Sequence, residues 1–88
     1  MNLYYTTQFK RDYKRIKKQD KDLNKLKIVI DVLASGKTLS ETYRDHQLAG
    51  SWKGHRDCHI EPDLILIYRL TSDSLTLERT GSHSDLFK

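Results

Sequence analysis

The 88-residue sequence predicts an α+β fold in which a helical hairpin packs on one face of a mainly antiparallel sheet, in the order β-α-α-β-β-β. Apolar side chains recur at three- and four-residue spacings as far as Gly36, which is a helical period. After Gly50 the pattern changes to short strand-like runs separated by turn residues, and one of them, Leu64–Leu70, is apolar on both faces and therefore central.

Leu3, Tyr4 and Tyr5 favour a short first strand, and Thr6 or Thr7 can then cap a helix by accepting from an unpaired backbone amide. Phe9, Tyr13 and Ile16 mark that helix's buried stripe, with Lys10, Arg11, Lys14, Arg15, Lys17 and Lys18 around it. The polar cluster Gln19-Asp20-Lys21-Asp22 interrupts the pattern. Leu23, Leu26, Val29, Ile30 and Leu33 form a second stripe, closed by a cap at Gly36. Residues 37–51 are polar and irregular, with one possible helical turn at Ser40–Asp45, and Leu39, Tyr43 and Leu48 tack them to the core. Connections of about 12–15 residues are uncommon in small domains and often functional. Strands are expected at Trp52–Ile60, Leu64–Leu70 and Leu75–Thr80, with Gly54 a possible interruption of the first. Residues 1–88 read as one domain, since a chain this short buries only about 60–65% of its unfolded surface and leaves little room for a deep cofactor pocket.

Sixteen Lys and Arg against twelve Asp and Glu give a net charge of +4 at pH 7. The charge is lopsided: residues 1–37 hold ten basic and four acidic side chains, the remainder six and eight. Such a field suits a polyanion, although Lys-rich helices also keep small domains in solution. Cys58 is the only cysteine, so no intramolecular disulfide forms, and no apolar run has the length of a signal peptide or a membrane span. The expected compartment is the cytoplasm.

Side chains alternate across a strand, so Arg56, Cys58 and Ile60 face one way and Asp57 and His59 the other. With Cys58 and Ile60 toward the core, His59 faces the open side. Asp63 lies in the following turn, His83 follows the last strand, and pairing of the last two strands would carry both to a shared rim with His59. Imidazoles serve as base or acid near neutral pH. Cleavage of RNA through its own 2′-OH needs a base, an acid and a cation for the charged phosphorane, and Lys53, Arg56 and Arg79 are candidates for the cation. His55 joins the same face only if the strand is regular from Trp52, and His46 sits in the long connection, where spacing leaves its role open. No paired metal-ligand spacing and no glycine-rich phosphate loop is present, so neither a metal nor a small-molecule cofactor is expected. Trp52 and Tyr68 read as core residues, and Phe87 either closes the core or serves a ligand.

The run from Tyr43 to Tyr68, YRDHQLAGSWKGHRDCHIEPDLILIY, and the tail from Glu78 to Phe87, ERTGSHSDLF, resemble the YafQ branch of the RelE/ParE toxin superfamily over nearly the whole chain. The resemblance implies a bacterial type II toxin: a ribosome-dependent endonuclease that cuts translated message in the A site and is silenced by a partner antitoxin. Carried over, the family's site positions are His46, His59, Asp63, His83 and Phe87. It implies proton transfer by the histidines, Asp63 orienting or assisting one of them, and Phe87 positioning the substrate; which histidine is base and which acid stays open. One departure is Leu64, where the best-known relative carries a Trp implicated in activity. Lys10, Arg11, Lys14, Lys17 and Lys18 resemble the family's ribosomal RNA contact surface, a role that counterion release makes physically sensible. The antitoxin is expected to be an acidic, partly disordered segment folding over the basic helices or the strand rim. The alternative on the same fold is a non-catalytic inhibitor that binds DNA gyrase, for which three imidazoles and a carboxylate on one rim would have no use.

Overall fold

A computed structural model describes residues 1–87. The chain opens with strand β1 (Asn2–Tyr5), followed by helices α1 (Thr7–Lys18) and α2 (Leu23–Ala34). Thr6 starts α1 as expected: its hydroxyl accepts from the Phe9 amide at 2.9 Å and donates to the Glu78 carbonyl at 2.7 Å, so the cap also fastens the helix to the sheet. Asp22 caps α2 through the Lys25 amide, and Gly36 leaves the helix in the left-handed region, φ 80°.

Strands β2 (His46–Gln47), β3 (Arg56–Glu61), β4 (Leu64–Leu70) and β5 (Ser74–Gly81) follow, and a short helix α3 (His83–Leu86) ends the chain. The five-stranded sheet has the order β1-β5-β4-β3-β2. Among the described residues only β1 and β5 pair in parallel; β4 is the central strand, as its two apolar faces predict.

Both faces of β4 are covered, unequally. On the helical side Leu64, Leu66 and Tyr68 pack with Cys58, Ile60, Leu75, Leu77 and the buried stripes of α1 and α2. On the other side Ile65 and Ile67 meet only Leu86, with Leu48, Trp52 and Phe87 closing around them. The second layer is thin, and part of that sheet face remains open.

Three expectations need correction. The connection after α2 contributes a strand, β2, because His46 and Gln47 pair with Asp57 and Arg56. The strand expected from Trp52 begins at Arg56, since Gly50–Trp52 is a 3-10 turn and Gly54 adopts φ 87°, which no extended strand accommodates. The tail after Gly81 is helical: the Ser82 hydroxyl accepts from the Asp85 amide while the Asp85 carboxylate accepts from the Ser82 amide, a reciprocal capping box.

Candidate active site

Strand alternation carries Cys58 into the helical-side core and turns Asp57 and His59 to the thinly covered face. His59 stands opposite Ile65, and Ile65 opposite Gly81, so the sheet register brings the start of α3, and with it His83, to the side of His59. Irregularities at His59/Glu61 and Ile67/Tyr68 flank this corner, where bulges commonly re-aim side chains. His46 arrives from the opposite side on β2, as the register partner of Asp57.

Three imidazoles therefore surround one carboxylate. The rings of His46 and His59 lie nearly parallel, with centroids 6.2 Å apart. His46 Nε2 is 3.2 Å from Asp57 Oδ1, and Asp57 also feels His59 and His83 electrostatically. The ring of His83 lies 5.1 Å from that of Phe87. Phe87 does both things its position allows: it closes the small cluster around Ile65 and Ile67, and it forms one wall beside His83.

His46 is held by a chain of polar contacts. Its Nδ1 lies 2.8 Å from the Arg44 carbonyl, which only accepts, so Nδ1 carries the proton. Arg44 itself is left-handed, φ 49°. The preceding carboxylate, Asp45, accepts from the phenol of the buried Tyr68 at 2.7 Å and from Arg56 Nε at 3.2 Å. Burial and the Asp45 carboxylate both push the Tyr68 phenol up, so it stays a donor.

Other expected site residues lie elsewhere or are engaged. Asp63 sits in the β3–β4 turn and accepts from Lys21 at the α1–α2 corner, an ion pair that holds its carboxyl below the usual range. The guanidinium of Arg79 makes a two-pronged contact with the fully buried Asp12, at 2.8 and 3.1 Å. Arg56 is tied to Asp45. Two of the three cations considered for a phosphate are thus paired within the fold, whereas Lys53 is exposed. His55 pairs with Glu78 at 3.2 Å and meets Trp52 edge-on, apart from the other three histidines. Leu64 is fully buried on the helical side, so it offers no surface to a base. Burial pushes the Cys58 thiol up, which removes it as a nucleophile. Among the described residues no group of His, Cys, Asp and Glu is arranged to hold a metal ion, and no helix is long and apolar enough to cross a membrane.

Asp57 is the component that the sequence reading did not single out. Its alternation with Cys58 placed it on the right face, but nothing in the local sequence tells a surface aspartate from one that is 3% exposed beneath three imidazoles.

Lys10, Arg11, Lys14, Lys17 and Lys18 are all exposed on α1. The buried side of that helix is fixed to the end of β5 that leads to His83, through Asp12 to the Thr80 amide at 3.1 Å and Arg15 to the Thr80 carbonyl at 3.1 Å.

The family of bacterial YafQ toxins of type II toxin-antitoxin systems matches residues 1–88. The chain is similar to the mRNA interferase toxin YafQ of Escherichia coli K12, at 48% identity over 87 residues, 98% of this chain and 95% of that one. Among solved structures, that of YafQ from E. coli BL21(DE3) superposes with a TM-score of 0.96 at 46% identity, covering 99% of this chain and 98% of that one. The E. coli DinJ-YafQ complex matches with a TM-score of 0.93 at 48% identity and the same coverage.

Proposed function

The chain belongs to the YafQ family of bacterial type II toxins, and on that footing we propose that its histidine rim cuts translated message in the ribosomal A site by acid–base catalysis. Its activity class is that of an mRNA interferase, an endoribonuclease. The observation that carries the mechanism is the convergence of His46, His59 and His83 on one open sheet face. One imidazole takes the proton of the 2′-OH as the 2′-oxygen attacks the adjacent phosphorus. A second, protonated imidazole gives its proton to the 5′-oxygen as the P–O5′ bond breaks. A 2′,3′-cyclic phosphate and a 5′-hydroxyl result, without a metal. Phe87 lies beside His83 where a nucleobase can stack, and of Lys53, Arg56 and Arg79 it is the exposed Lys53 that we assign to the phosphorane, since the two arginines are paired within the fold.

The rim is open, and an open rim orients a flexible RNA poorly. Alignment of the 2′-oxygen with the leaving oxygen supplies much of the rate in such a reaction, so the message has to arrive already held. The exposed lysines of α1, anchored beside the strand end that bears His83, suit docking to ribosomal RNA. The gyrase-binding alternative is not favoured, since the matched relatives are mRNA interferases.

Primer extension on a defined message in a purified translation system tests this reading. In-frame cuts are expected with ribosomes present and none without them. Intact message in both reactions would overturn it.

A cognate antitoxin is the toxin's protein partner, as DinJ is in the E. coli complex. A groove between β1 and the helical hairpin is lined by Leu3, Tyr5, Tyr13 and Ile30 and rimmed by Lys10, Lys14 and Lys27. Tyr5 is 53% exposed there and Tyr13 38%, an apolar floor with a cationic edge that fits an acidic amphipathic segment. Tyr5→Glu is expected to weaken antitoxin binding at least about tenfold by calorimetry, since an exposed aromatic of the groove is lost and a charge like that of the acidic segment is added. Message cleavage by the free toxin should be unchanged, and unaltered antitoxin affinity would move the seat elsewhere.

A further inference from the structure

Asp57 is the least exposed ionisable group on the histidine face, with its side chain only 4% exposed. Oδ1 of this carboxylate is buried without a hydrogen-bond partner among the described residues. His46 Nε2 is within ion-pair distance of it, 3.2 Å, but off the line that a hydrogen bond requires. Native structures rarely leave a buried carboxylate oxygen without a donor, so such an atom asks for an explanation in function.

The other side of the His46 ring supplies one. Nδ1 donates to the Arg44 carbonyl, so in the neutral ring Nε2 carries no proton, and it lies 3.2 Å from a carboxylate oxygen. Two acceptors opposed at this distance repel. A proton arriving on Nε2 replaces that repulsion with the attraction of an ion pair. The groups facing Asp57 are His46 from β2, Asp45 just before β2, His59 from its own strand and His83 from α3. Burial, reinforced by Asp45, pushes the Asp57 carboxyl up against the pull of the three imidazoles, so its ionised form gains from a cationic neighbour.

We propose that Asp57 is a positioning residue for RNA cleavage: a buried carboxylate that orients the His46 ring and stabilises its protonated form. The proposal rests on the cleavage mechanism above and adds a specific tuning of one imidazole. It holds for either direction of proton transfer. If His46 is the base, Asp57 stabilises the imidazolium formed as the 2′-OH loses its proton; if it is the acid, Asp57 keeps the ring charged until the 5′-oxygen leaves.

Asp57→Asn replaces the charge and keeps the shape. In ¹⁵N spectra of the free toxin, the His46 ring of the variant should hold its proton less tightly than that of the wild type, its protonation step lying at lower pH. The limb of the pH–rate profile that His46 governs should move the same way, which a purely structural aspartate would not cause. An unmoved His46 titration overturns the proposal. Should Asp57→Asn fail to fold, the wild type decides: the ¹³C signal of the Asp57 carboxyl must show an inflection at the pH where the His46 ring titrates, because coupled groups share their steps. Absence of that shared inflection equally overturns it. Neither spectrum depends on cleavage, so an inactive wild-type toxin would count against the proposed function and not against this pairing.

Discussion

His83→Ala is expected to lower single-turnover cleavage of ribosome-bound message by about 10²–10⁴-fold, the usual contribution of one positioned acid or base. The expectation follows from where the side chain sits. His83 opens α3, its ring is exposed, and its fold-supporting contact is the backbone one, the Phe87 amide donating to the His83 carbonyl at 2.9 Å. That bond survives the substitution, and the capping box of α3 is made by Ser82 and Asp85. Alanine is a good helix former, so the thermal midpoint should stay within the scatter of ordinary surface substitutions, about 0.5 kcal/mol. The melting curve and the cleavage assay belong together. Lost cleavage with an unchanged melt assigns His83 to the chemistry; a melt that falls in parallel assigns it to packing against Phe87; full cleavage removes it from the proton-transfer set.

The residues of this rim were more legible in the sequence than the elements that present them. Alternation in Arg56-Asp57-Cys58-His59-Ile60 separated core from open face correctly, because Cys58 and Ile60 are unambiguous core residues at spacing two. The doubly apolar β4 likewise declared itself central. By contrast β2 is two residues long and has no period to detect; it exists because β3 offers it an edge. In α3 the Ser82-His83-Ser84-Asp85 pattern was a readable capping signal, but four residues carry too little apolar content to announce a helix. Pairing partners were the least accessible. Arg79 lies 67 residues from Asp12 and Lys21 lies 42 from Asp63, so only the folded chain shows that these charges are already engaged. The burial of Asp57 has the same origin, since it depends on β2 and its loop folding across β3.

The Asp12–Arg79 pair leads to the largest expected change in stability. Asp12 has no exposed surface: with Phe9 and Ile16 it makes up the buried side of α1. Its carboxylate accepts from Arg79 twice, from the Thr80 amide at 3.1 Å and from Gln8 at 3.2 Å, and Arg15 lies 3.1 Å away. Burial alone would push this carboxyl up; the hydrogen bonds from Arg79, Thr80 and Gln8 outweigh it, and the net direction is down. Asp12→Ala should therefore cost about 3 kcal/mol at pH 7, the lower end for breaking a buried pair, because the stranded Arg79 is partly exposed and can turn to water. For a domain of this size that is a large part of the total, on the order of 5–10 kcal/mol. The pH dependence fixes the cause. A carboxyl whose folded-state value is depressed contributes fully above its unfolded value, near pH 4, and loses that contribution as pH falls through the folded value. Urea midpoints of wild type and Asp12→Ala should thus lie far apart at pH 7 and draw together as pH falls below about 4. A gap that persists undiminished in acid would mean that the substitution acts by disturbing α1 packing and not by removing the charge. Because the same carboxylate ties α1 to the Thr80 amide, just ahead of Gly81 and His83, the variant should also lose cleavage at pH 7 beyond what its folded fraction explains, and Asp12→Asn, which keeps an acceptor for the Thr80 amide, should recover part of it.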